Sequence, residues 1–517
     1  QVTFDKTAGK HYFNVAGIIE YQTKKTDATT IQGNAPDNTI TKIRPGLANQ
    51  SFTGNTNEFA IISYIGRLNY EFAGKYLLSA SIRRDGASLW ADAKKWGNFP
   101  SVGLGWRINE ESFMKGFSSI SELKLRGSYG EFGFIPSQIG YYPSQPVVSA
   151  NTTAILGAPA LGSFYNALPN KDLTWEITSM TNVGLDLGLF SNKVSFSAEY
   201  FYRYTDNLIL NVDPATSAGF SSGTPGNVGR MKNTGTEFVI GYRESANEFK
   251  WNASANFTFL KNLVEAMATP TGTLDAGANA DFGGQSITRT EAGHPVQSFF
   301  GWQTNGLFQS DGEAAVQAGA KAGDIRFADI NDDGVIDASD RVYLGSFLPK
   351  VSYGINLSAN YKGWDFSAFF QGVSGNKIYN GVKVTNQGML RLFNSSTDVL
   401  NAWTPDNTNT DVPRAVNGDP NGNARTSNRF LEDGSYFRLK NLTVGYSIPQ
   451  QLLTKVTGNT LSKFRLYFTG QNLFTITDYT GYDPEIGARN STALTQGIDY
   501  GQFPQARTLI LGLQASF

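Results

Sequence analysis

The stretch NLTVGYSIP, residues 441–449, places Asn441, Thr443, Gly445 and Ser447 on one parity and Leu442, Val444, Tyr446 and Ile448 on the other. Successive side chains of a β-strand point to opposite faces, so this alternation predicts a strand with one apolar and one polar side. The pattern recurs along the chain. Phe13, Val15, Ile19 and Tyr21 share a parity, as do Ile62, Tyr64, Leu68, Tyr70 and Phe72. Val194, Phe196, Ala198, Tyr200, Tyr202 and Tyr204 do the same within KVSFSAEYFYRYT (193–205), and Leu509, Leu511, Leu513, Ala515 and Phe517 within the terminal RTLILGLQASF. About fourteen such strands are predicted, most of about ten residues, the length of a tilted membrane-crossing strand.

The facing parity is too charged for a protein core. It carries Glu20, Arg67, Glu71, Arg83, Arg107, Lys124, Arg126, Asp186, Glu199, Arg203, Asp365 and Arg465. Burying such a set between stacked sheets would cost more than pairing returns. A water-filled interior removes the conflict and leaves the apolar rows facing lipid. The connections agree. Tight links at 73–75, 190–192, 244–248 and 362–363 interleave with long segments near 23–56, 134–172, 208–233, 263–347, 377–434 and 476–504, as in outer-membrane barrels with short periplasmic turns and long outer loops. Phe72 with Tyr76, and Tyr361 with Trp364, bracket short turns as an interfacial girdle would. The expected fold is therefore all-β, a transmembrane antiparallel β-barrel occupying 1–517 with those loops.

Composition excludes several alternatives. Charged residues make up 17% and aromatics 13% of the 517 residues, against about 25% charged in an average soluble domain. Mean hydropathy is -0.28, and no window reaches the ~20 apolar residues of a membrane helix. The net charge of -1 gives no bulk attraction to nucleic acid. There is no Cys, and the only histidines are His11 and His294, so disulfides, thiolate zinc sites and Ser-His hydrolysis have little material. No triad or carboxylate pair suggests an enzyme. The chain opens at Gln1 without a signal peptide, so a processed chain or a piece of a longer one is expected.

The stretch FLEDGSYFRLKNLTVGYSIP (430–449) resembles the C-terminal signature of the SusC/RagA family of TonB-dependent outer-membrane transporters of Bacteroidota. WGNFPSVGLGWRINEESF (96–113), LKLRGSYGEFG (123–133), LTWEITSMTNVGLDLGLF (173–190) and GQNLFTITDYTGYDPEI (470–486) follow the same family in order. The resemblance spans nearly the whole chain. It implies a barrel of about twenty-two strands around an N-terminal plug, so this chain is expected to be a C-terminal portion with the plug absent. About eight strands would be supplied by the remaining barrel of the same protein. By the same resemblance the partners are a SusD-like surface lipoprotein, TonB acting through the missing N-terminal portion, and outer-membrane lipid. The implied activity is TonB-dependent import of oligosaccharides or oligopeptides. A barrel used as scaffold in a larger surface or secretion assembly is the alternative.

One motif points to a metal. In DINDDGVIDASD (329–340), Asp329, Asn331 and Asp333 occupy loop positions one, three and five, Gly334 the sharp turn, and Val335 the position that ligates through its carbonyl. Asp337 and Asp340 complete a spacing that supplies the six to eight oxygens Ca²⁺ prefers. Asp replaces the usual terminal Glu, and the flanks look extended. The competing reading is an Asp-rich turn saturated by its own Asx hydrogen bonds. Trp90, Trp96, Trp302 and Trp403 could stack on sugars, although loop packing and interface anchoring are the ordinary roles. GTPGNVG (223–229) lacks the context of a phosphate loop and reads as loop turns. Lys94 and Lys95 read as a solvated loop.

Overall fold

The computed structural model describes residues 1–517 except 38, 40–41, 43–46, 137–138, 147, 156–158, 166–167, 213–216, 218–222, 392–393, 459 and 490–492. Parts of the segments 23–56, 134–172, 208–233, 377–434 and 476–504 thus lie outside the described residues. A 15-stranded antiparallel meander dominates. Its strands are β1 (Val2–Ala8), β2 (His11–Asn34), β3 (Ala48–Phe72), β4 (Tyr76–Ala87), β5 (Trp96–Arg107), β6 (Ile120–Phe134), β7 (Glu176–Leu189), β8 (Val194–Val212), β9 (Thr224–Glu244), β10 (Lys250–Met267), β11 (Val351–Tyr361), β12 (Trp364–Ser374), β13 (Tyr436–Ser447), β14 (Lys463–Thr477) and β15 (Thr508–Ser516). Each pairs with the next in chain order, so the order starts at β1 and finishes at β15.

The alternating patterns predicted β2 to β15. They missed β1, whose seven residues pair with Ala8 opposite His11 and Val2 opposite Gly17; with only Val2 and Phe4 as apolar markers it was too short to register. Two further expectations are corrected. The segments 23–56 and 208–233 are not simply loops: β2 and β3 pair without interruption from His11↔Phe72 to Gln32↔Ser51, and β8 runs on to Val212. GTPGNVG lies largely in β9 rather than in a turn. Polar residues continue these ladders because a strand needs only backbone pairing, and a fully wet strand has no apolar row to reveal it.

The connections do alternate. Residues 9–10, 73–75, 108–119, 190–193, 245–249, 362–363 and 448–462 form one set and 35–47, 88–95, 135–175, 213–223, 268–350, 375–435 and 478–507 the other. Five members of the first are short, 108–119 and 448–462 are longer, the latter carrying a helix α1 (Gln450–Thr457), and 88–95 in the second set is itself short.

The chain divides into two compact units. In the first, Gln1–Arg107 with Arg126–Asn182 and Arg203–Arg230, a core of Trp90, Phe99, Ile139, Leu173, Trp175 and Ile209 packs against the polar parity of β4 and β5. At its short-turn end Phe72 stacks on Tyr76, and Tyr76 on Trp106, with centroids 6.2 and 6.5 Å apart. In the second, Ile108–Leu125, Val183–Tyr202 and Met231–Phe517, Tyr361 and Trp364 are register partners and Trp364 meets Tyr446 at 4.9 Å. Tyr76, Tyr361 and Trp364 are exposed, and these rings sit where the interfacial girdle was expected.

The long connections of the second unit are themselves folded. Residues 268–350 hold a four-stranded sheet of Thr273–Ala276, Thr288–Glu291, Ser298–Gly301 and Val342–Gly345. Lys377–Asn380 pairs with Leu431–Asp433 and, in parallel, with Ile498–Asp499, so connections 375–435 and 478–507 meet in one small three-stranded sheet, against which 268–350 packs. Their common core joins Phe282, Ile287, Phe299, Tyr379, Val384, Phe430 and Ile498.

Candidate functional site

The polar parity of the meander is a series of ion pairs. Arg83 donates from Nε to both carboxylate oxygens of Asp85, at 2.7 and 2.8 Å, and from Nη2 to Ser63 Oγ at 2.9 Å. Glu20 lies 3.5 Å from the same guanidinium. Lys124 approaches Asp186 at 3.9 Å, and Arg107 reaches Glu71 at 3.5 Å. The expected charged rows therefore exist and are largely partnered. In the first unit they border a cavity of 380 Å³ whose remaining wall includes Phe59, Ile61, Ile139 and Trp175. This volume and mixed lining suit a small ligand group.

The opening stretch belongs to the second unit, where Arg465 forms a bidentate pair with Asp365 at 2.8 and 2.5 Å. Gly445 lies between the two strands: a Cβ there would stand 2.6 Å from both the guanidinium and the carboxylate. The polar-side Gly is what lets the pair cross its strand.

Two motifs quoted above meet in a buried charge network. Arg438 of β13 donates Nε to Thr475 Oγ1 at 2.7 Å and Nη2 to Asp483 Oδ1 at 2.8 Å, and bonds Glu485 through Nη1. Tyr436 and Lys440 donate to Glu485 at 3.0 and 2.6 Å. Burial opposes ionisation of Asp483, but the Arg438 hydrogen bond and the backbone N–H groups of Glu485 and Gln505 outweigh it and hold the carboxyl below its ordinary range. Lys440 sits at a bulge, where Phe369 and Phe370 oppose Asn441 and Leu439. The extra residue keeps Arg438 and Asn441 on the polar face despite their different parity, which strict alternation cannot anticipate. A second network ties connection 268–350 to 375–435: Asp324, with no exposure, receives Arg414 at 2.6 and 2.9 Å and Asn423 at 3.2 Å.

The structure brings the six calcium-candidate residues onto one turn. Asp329 Oδ2 accepts from the Gly334 N–H at 2.8 Å, and Gly334 has φ +82°. Asn331 Oδ1 accepts from Asp333 N at 3.1 Å, and Asp333 Oδ1 from Val335 N at 2.8 Å. Asp337 and Asp340 form a capping box around Ala338–Asp340, and buried Asp340 also accepts from Ile330 N at 2.7 Å. The Asx bonds of the competing reading are thus present. Asp329 Oδ1 is buried without a hydrogen-bond partner. Among the described residues no three carboxylates or imidazoles are gathered closely enough to form a metal cluster.

The tryptophans divide. Trp90, Trp302 and Trp403 are buried, and Trp302 Nε1 donates to the Asp337 carbonyl at 3.0 Å, fastening the Asp-rich turn to the core of Phe308, Ile325 and Phe327. Trp96 is exposed beneath the Arg84 guanidinium. Lys95 pairs with Asp92 in a solvated turn. Sequence reasoning missed the Arg438 and Asp324 networks. The first lay inside two quoted motifs, whereas nothing in the sequence joins Asp324 to Arg414.

An antiparallel meander with an exposed apolar face, aromatic rings at its short turns and a paired polar face is an outer-membrane β-barrel. Residues 1–473 match the family model described as TonB dependent receptor-like, beta-barrel, and the chain belongs to that family. It is 32% identical to TonB-dependent receptor P3 of Formosa agariphila, over 100% of this chain and 52% of that protein. It is 29% identical to TonB-dependent receptor SusC of Bacteroides thetaiotaomicron, over 88% of this chain and 44% of SusC. A solved structure of the RagAB peptide transporter superposes with a TM-score of 0.83 at 25% identity, over 100% of this chain and 54% of the matched one. The chain spans about half the length of the relatives it matches.

Proposed function

We propose that this chain is the barrel portion of a TonB-energised importer of oligopeptides or oligosaccharides, working with a SusD-like surface lipoprotein. The observation that carries the reading is the folded body made by 268–350, 375–435 and 478–507. Three long connections with a shared core and buried ion pairs make a rigid platform, and long structured connections are usually functional. The similarity to the RagAB peptide transporter supports a peptide cargo, and the match to TonB-dependent receptors supports the energy source. The test is uptake of labelled oligopeptides and oligosaccharides by cells with and without the receptor, and with TonB disabled, alongside affinity purification of the receptor. TonB-dependent uptake with a co-purifying lipoprotein is expected. Unchanged uptake after receptor loss would overturn import and leave a scaffold role.

The Asp-rich turn we assign to Ca²⁺. Asp329 Oδ1 is an unsatisfied carboxylate oxygen, its partner oxygen is held by Gly334, and side chains from 331, 333, 337 and 340 share the turn. The ion would stiffen the connection through oxygen ligands. Limited proteolysis of the purified receptor with Ca²⁺ or a chelator checks this. Chelation should speed cleavage within 329–340 in the native receptor and not in Asp329→Asn. Equal cleavage rates would return the turn to its own hydrogen bonds.

A further inference from the structure

We propose that a cavity in the folded connections of the second unit is a subsite for a carboxylate carried by the cargo, with Arg489 as the primary contact. The cavity measures 380 Å³, within the ordinary size of small-ligand sites, and is floored by Phe282 and Leu390. Two guanidinium groups line it. Arg489 lies over the Tyr500 ring, 4.6 Å from the centroid, and Tyr500 stacks on Phe282 at 5.2 Å. Phe282 belongs to the buried core, so the platform under Arg489 is rigid. Arg391, on the same cavity, donates to the Ala280 carbonyl at 2.9 Å and pairs with Asp281 at 2.7 Å.

The charges do not cancel. Asp281 is the single carboxylate of the lining and is engaged by Arg391. Among the described residues no carboxylate pairs with the Arg489 guanidinium. Two cations against one anion leave the lining net positive in a chain whose total is -1. On the polar parity Arg83 is matched by Asp85 and Arg465 by Asp365, whereas Arg489 borders this cavity with an aromatic ring, and no carboxylate, beside its guanidinium among the described residues. A guanidinium fork resting over an aromatic ring is shaped for a carboxylate. A neighbouring cavity of 490 Å³ shares Leu390 and Arg391, which gives an oligomer room beyond the contacted group. The chemistry is that of an acidic side chain or chain end of a peptide, or of a uronate sugar.

This inference rests on the import reading, and the experiment separates the two. Calorimetry on the purified receptor complex at low salt would use hexaglutamate, a galacturonate hexamer and the neutral maltohexaose as probes. At least one acidic probe should bind. Arg489→Gln should weaken it by about tenfold or more, and Arg489→Lys by less, because a point charge replaces the fork. Binding of hexaglutamate alone identifies a peptide source, and of galacturonate alone a glycan source. If neither acidic probe binds, if maltohexaose binds as well as they do, or if Arg489→Gln binds like the native receptor, the subsite is overturned. TonB-dependent uptake of neutral oligomers, measured in the same strains, reports on import independently of Arg489.

Discussion

Arg438 shows how one residue fixes two distant motifs. Its side chain is 3% exposed and faces Asp483 and Glu485, both on connection 478–507. Removing one partner of a buried pair strands the others without solvent, at a cost of about 3–5 kcal/mol. Arg438→Met should therefore lower the thermal unfolding midpoint of the receptor in detergent more than Lys440→Met, which removes only one of the contacts to Glu485. The pH response has a defined sign. The Asp483 carboxyl is depressed in the folded state, so its stabilisation is complete above the unfolded value, ~3.9. It is lost as pH falls through the lower folded value. The native receptor should lose stability below about pH 4, and Asp483→Asn should be less stable at neutral pH and flatter across that acid window.

At the scale of the strand, alternation is necessary but its interruptions decide the wall. Gly445 sits on the polar row of β13 because the Asp365–Arg465 pair passes over it. Gly445→Val should push the two groups apart and cost about 1–3 kcal/mol by overpacking. Gly445→Ala should cost less, and the unfolding midpoint in detergent would rank the two. The bulge at Lys440 is a second interruption. Without it the polar row would reach Phe437 and Leu439 instead of Arg438, and the network to Asp483 could not form. Alternation revealed β2 to β15 because each has a lipid-facing row. It was silent on the distal halves of β2 and β3, where both faces are wet and only backbone pairing continues.

Across the whole molecule, the barrel wall and the folded connections have different sources of stability. The wall is held by continuous ladders between chain neighbours. The connections depend on contacts far apart in sequence, such as Asp324 with Arg414 and Tyr479 with Asp499, the latter at 2.6 Å. Arg414→Met leaves Asp324 buried without its cation and should destabilise the connections locally by about 3 kcal/mol. Faster proteolysis within 268–350 and 375–435, with an unchanged heat-resistant barrel band on gels, is the expected outcome. Loss of the barrel band as well would show that the two parts unfold together.

The sequence by itself determined the strand count to within one, the antiparallel meander, the identity of the lipid-facing and wet rows, and the alternation of short and long connections. These follow from a local rule, the two-residue period of a pleated chain between two solvents. It also supplied the Asp-rich spacing at 329–340, but not which oxygens the turn would use up itself. Only the tertiary structure decided the Arg438 network, the bulge that aims it, the buried Asp324 pair and the meeting of Arg391, Arg489 and Tyr500. Those depend on where distant connections fold back on one another, and no periodicity encodes a contact between residues a hundred positions apart.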